Sequence, residues 1–109
     1  MRIAIIGAGA AGLASARHAT AEGMECEVFE MKPELGGTWI YTDDVDKDQY
    51  GLPVYSSMYK NLIINVPKEM MGFPDFPIPE QERCYLTQAE ILEFLNNYVD
   101  HFNLKELIR

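Results

Sequence analysis

Apolar residues run nearly unbroken through Arg2-Ile3-Ala4-Ile5-Ile6, and three glycines, Gly7, Gly9 and Gly12, follow at once. The run predicts a strand over residues 2–6. Small residues then continue from Ala10 to Glu22 and stop at Gly23, which predicts a helix ended by a glycine at the position after its cap. A second apolar run, Cys26 to Glu30, predicts a parallel partner strand. From Met31 to about Leu86 the period is lost, and all six prolines fall there. An irregular segment of that length is too long for a simple loop, and such segments line a site or cover a ligand. Period returns at Thr87. Thr87 and Glu90 read as a capping box, and Ile91, Phe94, Leu95, Tyr98 and Phe102 share one face of a helix. Leu104 to Arg109 read as a further strand beginning.

Strand, glycine turn, helix, strand and terminal acid form the start of a dinucleotide-binding βαβ unit. Gly7 permits the turn, Gly9 a close approach of backbone to pyrophosphate, and Gly12 the packing of helix on sheet. The helix N-terminus offers free N–H groups and partial positive charge to phosphates. Glu30 stands roughly 20 residues beyond the turn, where a carboxylate accepts from ribose hydroxyls. Its charge favours a ribose with a free 2′-OH over a 2′-phosphate. The fold class is therefore α/β, a Rossmann-like βαβ domain, incomplete because two strands are too few for a doubly wound sheet. The 109 residues suffice for one small domain. They are expected to be the N-terminal part, residues 1–109, of a larger protein.

Net charge is −8 without a basic cluster, which argues against nucleic-acid binding. Cys26 and Cys84 have neither CxxC nor CxxxxC spacing, so they read as buried or partly buried free thiols. The small-residue stretch after Arg2 imitates a secretory signal peptide, but a signal peptide has no reason to be coupled to Glu30. No apolar run reaches the roughly 20 residues that span a bilayer. Asp43, Asp44, Asp46 and Asp48 lack the EF-hand glycine and terminal glutamate and read as a solvated acidic turn. His18 and His101 read as surface or helix-end residues. Tyr41, Tyr50, Tyr55, Tyr59, Phe73 and Phe76 read as packing, whereas Trp39 follows a Gly-Gly pair and is the aromatic favoured for a site. Lys68 and Glu69 are adjacent opposite charges that can pair.

The glycine turn alone does not separate FAD from NAD. Gly36-Gly37-Thr38-Trp39 does more, because a second glycine pair just beyond Glu30 lets a second stretch of backbone reach the cofactor. Across essentially its whole length the chain resembles the flavin-containing monooxygenases. The resemblance is carried by Ile5 to Leu13, by Phe29-Glu30 with Gly36-Gly37-Thr38-Trp39, and by Tyr59 to Pro77. The most specific part is Asn65-Val66-Pro67-Lys68-Glu69-Met70-Met71-Gly72-Phe73-Pro74-Asp75-Phe76-Pro77.

That resemblance implies FAD and NADPH as cofactors. It implies contacts to FAD from Gly7, Ala8, Gly9, Ala10, Ala11 and Gly12 at the pyrophosphate and from Glu30 at the ribose. Gly37, Thr38 and Trp39 would add further contacts. Asn65 would sit near the reactive edge of the flavin and the nicotinamide, its neutral amide able both to donate and to accept. The implied reaction is oxygenation of a soft nitrogen or sulfur centre, of the N,N-dimethylaniline monooxygenase type, through a flavin hydroperoxide. Partners would be O2 and a small amine or thioether, in the cytoplasm or on the endoplasmic reticulum membrane. Thr38 stands where many relatives carry an apolar residue. The second glycine-rich motif, which binds NADPH in that family, is not among these residues, so these residues alone are expected to be inactive. The alternatives are an amine-oxidase-like flavoprotein and an inactive FAD-binding fragment.

Overall fold

In the computed structural model, which describes residues 1–109, β1 (Arg2–Ile6) and β2 (Glu25–Phe29) form a two-stranded parallel sheet. Helix α1 (Ala10–Ala21) connects them, and α2 (Gln88–His101) packs on the same side. The register pairs Ile3 with Cys26 and Ile5 with Val28. Side chains alternate across a strand, so these four face the helices and join a core with Leu13, Ala16, Phe94, Leu95, Tyr98 and Val99. The opposite sheet face is bare: Ile6 is 82% exposed and Phe29 43%. Parallel sheets usually carry helices on both faces; here one face carries both helices and the other carries none.

Both helices begin and end by local rules. The sequence places β1 correctly and sets β2 one residue late. Gly23, at φ +73°, follows the cap of α1, and Met24 N–H donates back to the Ala19 carbonyl at 3.0 Å. α2 ends the same way, with Asn103 at φ +54° and Leu104 N–H on the Val99 carbonyl at 2.9 Å. Both ends are Schellman motifs, the second using Asn where Gly is commoner. At the start of α2 the Thr87–Glu90 capping box is complete. Beyond it, Lys105–Leu107 form a 3-10 turn, and only Ile108 reaches sheet pairing, as a parallel bridge to Val28.

The irregular segment is pinned rather than loose. Ile64 N–H donates to the Leu86 carbonyl at 2.9 Å, and Lys68 N–H to the Cys84 carbonyl at 2.8 Å. Phe73 and Phe76 exchange two backbone hydrogen bonds and lay their rings on α2, Phe73 at 4.6 Å from Tyr98 and Phe76 at 5.4 Å from Phe94. Arg17 of α1 meets Asp75 at 3.3 Å and lies over the Phe102 ring at 4.3 Å. The Gly72-to-Pro77 stretch is thus a packing anchor between the two helices. Two sequence expectations are corrected here. Cys26 is buried, but Cys84 is exposed, because its irregular segment uses backbone rather than side chain to hold Lys68. Tyr50, Tyr55 and Tyr59 are also exposed and lie outside the core, since they stand on surface loops.

Candidate cofactor site

The site is made where β1 runs into α1. Gly7 leaves the strand at φ +93°, a conformation costly for any residue with a Cβ. A Cβ on Gly12 would stand 1.9 Å from the Gly7 carbonyl oxygen, so only glycine lets α1 start this close to the strand. Gly9 is the N-cap of α1 and supplies no side-chain cap, and the first turn holds no acidic residue. The helix therefore presents its first N–H groups and positive dipole end with no acid in its own first turn, which suits an anionic ligand.

A second backbone segment completes the floor. Gly36 N–H donates to the Ala8 carbonyl at 2.9 Å, and Gly36 and Gly37 both have positive φ, +128° and +58°. A Cβ on Gly37 would lie 3.0 Å from Gly9 Cα, and one on Gly9 would lie 3.6 Å from Gly37 Cα. The two glycine stretches thus touch along their backbones and form one cradle that side chains would fill.

Glu30 closes the cradle from the end of β2. Its Oε2 accepts from Ala8 N–H at 2.7 Å and its Oε1 from Lys32 N–H at 2.9 Å. Each carboxylate oxygen retains lone-pair capacity for a further donor. Ala8 is fully buried with both backbone groups engaged, so it belongs to the wall of the cradle. Ala10 is half-buried and Ala11 exposed at the mouth.

Thr38 is exposed and Trp39 half-buried, in a 3-10 turn spanning Gly37–Trp39. Trp39 shares a hollow of about 370 Å3 with Asn65, Tyr59, Ile63 and Met71. Asn65 is exposed in that hollow. The residues singled out in the sequence thus fall into two places: the cradle of Gly7 to Gly12, Glu30 and Gly37, and the hollow of Trp39 and Asn65. The turn that carries Thr38 and Trp39 joins them. Gln88, which ties Trp39 to the segment of Asn65, was not legible as a site residue.

Away from the cradle, Lys68 Nζ pairs with Glu69 at 3.2 Å. The Glu69 carboxyl titrates below its ordinary value, first through its own backbone hydrogen bond and then through Lys68.

Residues 1–109 match the family described as flavin-binding monooxygenase-like. The chain belongs to that family. It is 40% identical over 119 residues to flavin-containing monooxygenase FMO GS-OX4 of Arabidopsis thaliana, covering 98% of this chain and 26% of that protein. It is 39% identical over 108 residues to senecionine N-oxygenase of Tyria jacobaeae, covering 99% of this chain and 24% of the relative. Among solved structures, S-allyl-L-cysteine S-oxygenase from Allium sativum superposes with a TM-score of 0.89 at 38% identity, over 99% of this chain and 27% of that one. The chain thus spans about a quarter of the length of these flavin-binding monooxygenase relatives.

Proposed function

We propose that residues 1–109 are the N-terminal FAD-binding part of a larger NADPH-dependent monooxygenase that oxygenates soft nitrogen or sulfur centres. The observation that carries this reading is the double-glycine cradle. Gly9 and Gly37 leave an open backbone surface beside an uncapped helix N-terminus, with Glu30 at its edge. That set of groups fits a dinucleotide: N–H donors and dipole for a pyrophosphate, and a carboxylate for a ribose. The named activities of relatives, an N-oxygenase and an S-oxygenase, favour nitrogen and sulfur as the acceptor atoms.

In this reading the N–H groups of Ala10, Ala11 and Gly12 hold the pyrophosphate. Glu30 orients the adenosine ribose while keeping the glycine turn strapped through Ala8. Trp39 and its neighbours shield the hollow from water, and Asn65 offers a neutral donor and acceptor at its rim. Bound FAD supplies the redox and oxygen chemistry, with reducing equivalents from NADPH. One atom of O2 goes to the substrate and the other leaves as water. This reading assigns the NADPH site to the part of the relatives' length that residues 1–109 do not cover.

The test is to incubate the full-length protein with NADPH, isotopically labelled O2, and either methyl phenyl sulfide or N,N-dimethylaniline. Mass spectrometry should find one labelled oxygen in the sulfoxide or N-oxide, with NADPH consumed in proportion. NADPH consumption that yields only hydrogen peroxide would assign an oxidase instead. Neither NADPH consumption nor product would leave only a binding module.

A further inference from the structure

Gln88 opens α2, yet capping does not require a glutamine there, because Thr87 and Glu90 already form the box. Gln88 is buried, and it lies on the same helix stripe as Ile91, Leu95 and Tyr98. An amide placed among apolar neighbours is costly unless hydrogen-bonded. The bonds it makes run to two separate segments. Its side-chain Nε2 donates to the Trp39 carbonyl, at the end of the Gly37–Trp39 turn. Its backbone N–H donates to the Leu62 carbonyl at 3.0 Å. Together with Ile64 N–H on the Leu86 carbonyl, that bond sets Ile63 opposite Thr87 in an antiparallel bridge.

One residue thus joins three pieces of chain: the start of α2, the turn carrying Trp39, and the strand-like stretch leading to Asn65. Trp39 and Asn65 line the same hollow. We infer that Gln88 is a positioning residue that fixes Trp39 relative to Asn65, acting through its two tethers and not by touching the ligand. The role rests on the proposed cofactor site. It also accounts for an amide where another apolar residue would bury more cheaply.

The experiment is hydrogen–deuterium exchange on the flavin-free full-length protein, followed by an FAD titration. The variants are Gln88→Leu, which removes the donor, and Gln88→Glu, which sets a carboxylate against the Trp39 carbonyl. Gln88→Asn keeps the amide but shortens its reach. It should give a smaller change of the same sign, readable even where the first two unfold. Thr87→Ala weakens the same helix end without affecting the tether. The Leu and Glu variants should speed exchange at the Trp39 and Ile40 amides about tenfold, the worth of one buried hydrogen bond, and weaken FAD binding. Thr87→Ala should speed exchange at Glu90 and Ile91 and leave Trp39 and Ile40 unchanged. Unaltered exchange at Trp39 and Ile40 in every Gln88 variant would overturn the inference, whatever FAD does. Wild-type protein that fails to bind FAD would overturn the cofactor reading instead, and with it the functional meaning of the tether.

Discussion

Gly9 and Gly37 are far apart in the chain and meet backbone to backbone, with room between them for no side chain at Gly37 and little at Gly9. The two positions differ in a useful way. Gly37 has φ +58° and a Cβ there would press on Gly9 Cα at 3.0 Å, whereas Gly9 has φ −79° and its Cβ would make ordinary contact. Gly37→Ala should therefore destabilise the protein by about 1–2 kcal/mol and also weaken FAD binding. Gly9→Ala should cost less than about 0.5 kcal/mol of stability while still reducing FAD affinity, because its methyl enters the cradle. Thermal melts of flavin-free protein beside FAD titrations separate the two effects.

Glu30 both straps the glycine turn and edges the site. Glu30→Gln keeps the shape but sets an NH2 group against one of two backbone donors, Ala8 N–H or Lys32 N–H. Losing a hydrogen bond to a charged acceptor costs about 1.5–3 kcal/mol. The amide left facing the NH2 group, Ala8 or Lys32, should exchange faster before any cofactor is added, and FAD affinity should fall. Unchanged protection at both amides would show that the strap is not holding the turn.

Arg17 and Asp75 pin the irregular segment to α1 at 3.3 Å, both partly exposed, with side-chain exposures of 26% and 35%. A double-mutant cycle with Arg17→Ala and Asp75→Ala should give a coupling of only about 0.5–1 kcal/mol, in keeping with a partly solvated pair. Arg17→Ala should be the costlier single change, since it also removes the guanidinium from the Phe102 ring.

Tyr98 is fully buried, and its hydroxyl has no hydrogen-bond partner. Burial, aided by the negative charge of Asp75, raises its pKa above the ordinary 10.0. The folded protein thus prefers the neutral phenol. Below about pH 10 neither state ionises and this preference has no effect on the pH dependence. As pH rises past 10 the unfolded tyrosine ionises first, and stability falls until the folded pKa is passed. Tyr98→Phe should be close to neutral at pH 7. Above pH 10 it should melt higher than the wild type, by a margin that widens with pH. Parallel alkaline melting curves would refute this account of the hydroxyl.

How much was legible in the sequence follows from the range of the interactions. The strand at Arg2–Ile6, the turn at Gly7, the stop at Gly23 and the Thr87–Glu90 box all rest on neighbours within a few residues, and all were readable. The segment from Met31 to Leu86 was not, because its order comes from distant pairings such as Ile64 with Leu86 and Lys68 with Cys84. The close contact of Gly36-Gly37 with the first glycine turn could be anticipated only as an approach to a ligand. Gln88 escaped because a polar residue after a helix cap reads as solvated. Its spacing with Ile91, Leu95 and Tyr98 was the available sign that it faces the core.

The most direct test of the central claim, that the double-glycine cradle holds FAD, is the visible absorption spectrum of the purified full-length protein, with the released cofactor identified by mass. The account predicts the two bands of oxidised flavin, FAD released on denaturation, and bleaching by NADPH that reverses in air. A colourless protein that binds NAD in its place would contradict it, leaving the first glycine turn as a simple nucleotide site and Gly36-Gly37 as packing.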